Sequence, residues 1–294
     1  FLPTPYGESV VMRLLNTTRL FKFAELGLED TERKILEDLI RKPHGIVFLT
    51  GPTGSGKTTT LYSCLSKINT EDKKIITIED PIEYQLKGIT QIQVNPGIGL
   101  TFAEGLRSML RHDPDIMMVG EVRDIETAEI AIQVALTGHL IFSTLHTNDA
   151  ASGVTRLLDM GVDPYLITST VESFIAQRLV RTICPKCKQA IKITPEIIED
   201  FKGEVDLNED MIIYEGKGCE SCSFNGYIGR TPIYEILLMT DEIRQLIMQR
   251  ATAAQLKEES TKIGMRLLRQ AGWEKVKEGI TTPQEVIRVT QEEV

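Results

Sequence analysis

The sequence predicts an α/β fold built on a parallel sheet with helices on both faces. Three observations carry that prediction. Short apolar runs alternate with amphipathic helical stretches from about residue 23 to residue 183, the rhythm of strands joined by crossover helices. The first run, Ile46 to Leu49, opens onto a glycine-rich turn and then a helical pattern. Acidic residues stand at the carboxyl ends of two later runs, where open parallel sheets bind their ligands.

In chain order, Ser9 to Leu15 has strand character but nothing before it to pair with. Residues 1–22 therefore read as the remnant of an N-terminal domain and its linker. The start at Phe1, with no Met and no basic-then-apolar leader, fits a piece of a longer protein. After the first run, a helix is expected from Lys57 to about Ile68 and a strand from Lys74 to Ile78. Thr101 and Glu104 form a capping box that opens a helix running to about His112. Ile116–Val119 reads as a strand, Asp124 to Thr137 as a helix, and Leu140 to Thr144 as a strand. Residues 184–235 break the rhythm with four cysteines, a strand at Met211 to Tyr214 and a turn-rich stretch from Phe224 to Arg230. From 236 the pattern is helical, and Thr282, Pro283 and Glu285 mark a helix start. The expected organisation is thus 1–22, a core over 23–183, a cysteine module over 184–235 and a helical subdomain over 236–294.

Of the 294 residues 41% are hydrophobic and 26% charged, as in a globular chain rather than a disordered one. No apolar run approaches the roughly 20 residues that span a bilayer. The formal net charge of −9 argues against a nucleic acid as the main partner, since such proteins present a basic surface.

The strongest motif is Gly51, Pro52, Thr53, Gly54, Ser55, Gly56, Lys57, Thr58, with Thr59 following. It matches G-x-x-x-x-G-K-[ST], and it lies after a strand and opens a helix, which is the context a P-loop requires. Glycines let backbone N–H groups turn inward around phosphates, and the helix N-terminus adds partial positive charge. Lys57 is expected to reach the β- and γ-phosphates of ATP, and the Thr58 hydroxyl to ligate Mg²⁺. An ATPase is the activity this implies.

Such a site needs carboxylates. Asp115 through Gly120 to Glu121 is a Walker-B-like strand ending in an acid. Glu79, Asp80 and Glu83 form a second cluster just after the strand at 74–78. One carboxylate would orient the attacking water and another would help hold the metal, with Glu79 and Asp80 beside the nucleotide. His139 and His146 bracket the strand at 140–144 and are candidate γ-phosphate sensors. Arg107 and Arg111, four apart on one helix face, read either as a solvated basic face or as contacts to phosphate or a neighbouring subunit.

Four of the five cysteines fall in two C-x-x-C pairs, Cys184 with Cys187 and Cys219 with Cys222. Without a secretion signal they read as a tetrahedral Zn²⁺ site before they read as disulfides. The gap between the pairs is 31 residues, longer than usual ribbon spacing. Cys64, in the apolar pattern after the P-loop, reads as a core residue.

Together these elements resemble the secretion ATPases of the type II secretion and type IV pilus assembly family, over essentially the whole chain. The matches are the P-loop at 51–58, the acidic box Glu79 to Glu83, and Leu106-Arg-x-x-Leu-Arg111-x-Asp-Pro-Asp115 leading into Gly120-Glu-Val-Arg-Asp124. The histidine box from Thr137 to Asp149, Gln177 to Arg181, the cysteine quartet and Thr281 to Glu285 complete them. The resemblance implies a RecA-like P-loop ATPase core with a small tetracysteine zinc module and a C-terminal helical subdomain. It implies a cytoplasmic homohexamer docked at the inner face of the cytoplasmic membrane, driving an inner-membrane platform protein. By the same resemblance Glu83 activates water and Glu121 stands on the Mg²⁺ side, roles that can be exchanged. Arg13 matches an arginine that reaches nucleotide from the N-terminal domain, and the partner arginine would lie upstream of Phe1. Full turnover is then expected to need that upstream region.

Two other readings compete. A pilus retraction motor shares the core but, in that family, lacks the cysteine quartet. An ATP-dependent, zinc-containing nucleic-acid-binding protein is of another class, and the acidic balance counts against it.

Overall fold

The structure, a computed structural model, describes residues 2–10, 21–201, 205 and 211–291. Arg13 and most of the strand expected at 9–15 lie outside the described residues. A short hairpin comes first, β1 (Leu2–Thr4) paired with β2 (Gly7–Ser9). Then follow α1 (Asp30–Leu39), β3 (Gly45–Thr50), α2 (Lys57–Ile68), β4 (Ile75–Glu79), β5 (Thr90–Gln93) and α3 (Phe102–Met109). The next elements are β6 (Ile116–Val119), α4 (Ile125–Leu136), β7 (Leu140–Leu145), α5 (Ala150–Asp159), α6 (Pro164–Thr170) and β8 (Val171–Ile183). The cysteine-bearing stretch holds β9 (Lys188–Lys192), α7 (Pro195–Asp200) and β10 (Ile212–Gly216), and runs into β11 (Tyr227–Leu238). The chain ends in α8 (Asp241–Met248), α9 (Ala253–Lys262), α10 (Leu268–Lys277) and α11 (Pro283–Thr290).

Seven strands form one sheet in the order β11-β8-β3-β7-β6-β4-β5. All neighbours are parallel except β11, which runs antiparallel to β8. All six residues of β3 are buried, as a central strand covered on both faces must be. Its alternation divides the core: Ile46 and Phe48 join the cluster under α3 to α6, whereas Val47 and Leu49 join Leu36, Leu61 and Leu65 under α1 and α2. Helix starts fall at polar caps. Thr101 accepts the Glu104 N–H at 3.2 Å, Asp124 that of Thr127 at 2.8 Å, and Thr282 that of Glu285 at 3.3 Å.

The antiparallel edge is the departure from the expected all-parallel sheet. After β8 the chain leaves through the antiparallel β9–β10 hairpin, and this excursion returns it beside β8 in the reverse direction. Pro232 sits in β11 without breaking it, because an edge strand has a free side. The expected boundary at 235/236 falls inside this strand, and regular helix begins only at Asp241.

Glu235 ties the C-terminal helices to the sheet. It is 2% exposed, and its two oxygens accept the Ala150 N–H at the start of α5 (2.9 Å) and the Leu268 N–H at the start of α10 (3.2 Å). Each carboxylate oxygen thus satisfies a helix-terminal donor that has no intrahelical partner. Glu285, also buried, is held by Arg181 of β8 and by Arg288.

Glu235→Ala leaves both amides unpaired in the core, and urea unfolding should show a loss of roughly 2–4 kcal/mol. Burial raises the Glu235 pKa above its ordinary 4.5. The folded chain therefore holds that proton more tightly than the unfolded one, and the stability this contributes is lost as pH rises through the folded value. Glu235→Gln should flatten the fall in stability above pH 4.5 that the wild type shows.

Candidate functional site

The phosphate-type loop leaves β3 at the centre of the sheet and is braced from below by β8. Gly56 takes φ 92°, and a Cβ there would sit 2.8 Å from Gln177 Nε2. A Cβ at Gly51 would sit 2.6 Å from the Gln177 backbone oxygen. Only glycine lets the loop lie this close to the strand. Gly54 also has positive φ, while Pro52 and Thr53 form the exposed outer side of the turn.

Lys57, 8% exposed, folds back and donates to the carbonyls of Gly51 (2.6 Å) and Pro52 (3.0 Å). Burial pushes its pKa down to about 8, with Arg178 adding to the effect and Glu121 opposing it. Ser55 lines the same cleft at 4% exposure, and its hydroxyl is buried with no partner among the described residues. A buried ammonium and an unspent hydroxyl beside a helix N-terminus are the donor set an oxyanion requires.

The cleft encloses about 500 Å³. Thr58 and Thr59 of the loop line it, as do Asp80, Glu83, Glu121 and His146. Glu121, 8% exposed, ends the Walker-B-like strand and is held by Arg123 at 2.5 Å and His146 Nε2 at 3.0 Å. Glu79 also borders the cleft, but Tyr62, Thr77 and Gln91 occupy its oxygens. Burial and the adjoining Glu79 carboxylate push the Tyr62 pKa up, so Tyr62 stays a donor.

Other candidates fall elsewhere. His139 stands at the opposite end of the sheet: its backbone oxygen accepts the Gly45 N–H at the start of β3, and Nδ1 lies 3.1 Å from Val134 O. Both ends of a strand cannot reach one ligand at one edge of the sheet. Arg107 pairs with Glu104 (2.7 Å) and Glu126 (2.8 Å), and Arg111 bonds Ser108 Oγ at 3.3 Å. Neither arginine lines the cleft. Conversely, Arg123, Phe102, Tyr84 and Arg230 line it without having been singled out for it. Arg123, two residues after Glu121, was findable from its spacing. Arg230 was not, because only the register of β11 against β8 brings it there.

At the far end of β8 the four cysteine sulfurs converge within 4.8 Å of one another. The Cys184–Cys219 and Cys219–Cys222 sulfurs are 3.8 Å apart and Cys187–Cys222 3.9 Å apart, and all are free thiols. Thiolates held tetrahedrally about 2.3 Å from one ion would lie about 3.8 Å apart. The four thiols therefore fit zinc. The chain packs tightly beside them: Gly226 O accepts the Cys184 N–H at 2.9 Å, and a Cβ at Gly216 would sit 2.0 Å from that oxygen. Cys64 is a buried core residue, and burial pushes its thiol up to about 12.

A family model described as type II/IV secretion system protein matches residues 1–288. The chain is 50% identical over 293 residues to type II secretion system protein E of Xanthomonas campestris, covering 99% of this chain and 52% of that protein. It is 47% identical over 287 residues to the type IV pilus assembly ATPase PilB of Myxococcus xanthus, covering 97% and 51%. The crystal structure of the pilus retraction motor PilT with bound ADP matches at a TM-score of 0.70 and 30% identity, covering 94% of this chain and 68% of that one. The chain spans about half the length of the curated relatives it matches. With that model matching nearly the whole chain and relatives at 47–50% identity, this protein belongs to the type II/IV secretion system protein family.

Proposed function

We propose that this chain binds ATP in the P-loop cleft and hydrolyses it as the motor of type IV pilus assembly or type II secretion. The observation that carries the reading is that Lys57 and Ser55 line one cleft together with Glu83, Glu121 and His146. The names of the two curated relatives support the system. In this reading residues 51–59, with Asp80, line the nucleotide, and Glu79 acts from behind by anchoring Tyr62 and Gln91. The chain works as a homohexamer on the cytoplasmic side of the inner membrane, against a platform protein. Among the described residues no helix is long and apolar enough to cross a membrane. Arg13, outside the described residues, is assigned a role in turnover. The core takes residues 23–183 with β11 added, and flanks remain at 1–22, the cysteine module over 184–226 and the helices to 294.

Hydrolysis places a water in line with the γ-phosphorus. As its oxygen bonds to phosphorus the bond to the ADP oxygen breaks, and Glu83 takes the water's proton. Lys57 leaves its loop carbonyls for the phosphate oxygens and stabilises the charge developing there. His146, 3.0 Å from Glu121, couples that carboxylate to the γ-phosphate end of the cleft. The Thr58 hydroxyl and Glu121 would hold Mg²⁺, which when bound neutralises charge on the phosphates. Arg107 and Arg111 are assigned to subunit contacts rather than to phosphate.

The four thiols hold one structural Zn²⁺. The quartet and the identities of 47–50% to secretion and assembly proteins favour assembly over retraction, despite the likeness to PilT. The net charge of −9 disfavours a nucleic-acid partner.

Lys57→Ala should abolish nucleotide binding or turnover, measured by nucleotide fluorescence and phosphate release. Glu83→Gln and Glu121→Gln should keep binding and lose turnover by about 10²-fold or more; wild-type turnover in either removes that residue from the chemistry. Metal analysis of folded, reduced protein should return one zinc per chain. Cys219→Ser should lower that content and the melting temperature together, and a metal-free wild type would refute the zinc assignment.

A further inference from the structure

The Gln91 side chain spends both ends of its amide on the segment that carries Glu83. In β5, Gln91 stands opposite Thr77 and Gln93 opposite Glu79. The Gln91 amide nitrogen donates to the Tyr84 backbone oxygen at 3.2 Å and to Glu79 Oε1 at 3.0 Å. Its oxygen accepts the Leu86 N–H at 2.7 Å. Two residues on, Gln93 Oε1 accepts the Ile82 N–H at 3.3 Å. The two glutamines therefore grip the main chain directly before and after Glu83. Strand alternation puts both on one face, toward that loop.

The grip is itself anchored. Glu79, 3% exposed, accepts from Gln91, Thr77 and Tyr62, and the Tyr62 ring meets Tyr84 edge-on at 4.8 Å. An edge strand needs only backbone groups to pair with β4, so the ladder does not account for these side-chain bonds. A base must stay within hydrogen-bond reach of its water, and a misplacement of about 1 Å can cost about 10²-fold in rate.

We infer that Gln91 is a positioning residue for Glu83, acting on turnover by holding the Tyr84–Leu86 backbone and with it the Glu83 carboxylate. This rests on the reading of Glu83 as the base. Gln91→Met keeps the chain length and removes both hydrogen-bonding ends. Steady-state hydrolysis, nucleotide affinity and melting temperature are to be measured for the wild type, Gln91→Met, Glu83→Gln and the double variant. Gln91→Met should lower kcat by about 10-fold while KM stays within about twofold. Added to Glu83→Gln, it should change the residual rate by less than about twofold, since the two act as one unit.

Wild-type kcat in Gln91→Met overturns the inference, as does a full multiplicative loss in the double variant. Wild-type turnover in Glu83→Gln instead brings down the reading of Glu83 as base, and this inference with it. If Gln91→Met does not fold, Gln91→Glu takes its place, because it regains a donor only when protonated. Its rate relative to wild type should climb as pH falls toward about 5; parallel pH profiles for the two would refute the assignment.

Discussion

The contact on which most of the molecule depends is that of β8 with the phosphate loop. Gln177 lies so near Gly51 and Gly56 that neither can carry a side chain. The same strand pairs with β3 on one side and β11 on the other, and gives Arg181 to the buried Glu285 of α11. It ends one residue before Cys184. Loop, C-terminal helices and cysteine cluster are thus registered to a single run of backbone. A shift along it would be felt at the loop, at the Arg181–Glu285 pair and at the thiols together, because packed interiors transmit displacement rather than absorb it.

Around the cleft, charge is distributed by burial and pairing. Glu121 has two cationic or polar neighbours, Arg123 and His146, and Glu79 has three neutral donors. The first arrangement leaves a carboxylate at the cleft wall whose partners can change; the second locks one in place. Two acids 42 residues apart in sequence therefore differ in kind because of what surrounds them, not because of residue type.

Much of this was legible beforehand. The apolar run Ile46 to Leu49, the loop and α2 follow from local pattern, and the caps at Thr101 and Thr282 accept the N–H groups that their positions called for. The cysteine quartet was legible because C-x-x-C spacing carries its own geometry. What local pattern could not carry was tertiary. β11 contains Pro232 and charged residues on an edge, so its strand character depends on the β8 neighbour. His139 and His146 looked equivalent around one strand, yet the direction of that strand separates them by the depth of the sheet. The spent oxygens of Glu79 depend on Tyr62, Thr77 and Gln91, and no spacing rule connects those three.

Lys57 bonded to its own loop carbonyls has a consequence in proton accounting. An ammonium whose pKa sits at about 8 is partly deprotonated in mildly alkaline solution. A polyanion arriving at the loop restores the preference for the charged form. Occupation of the cleft by such an anion would therefore be linked to uptake of a fraction of a proton near that pH. In the structure the ammonium is thus buried but never bare, because its own loop carbonyls keep it hydrogen-bonded.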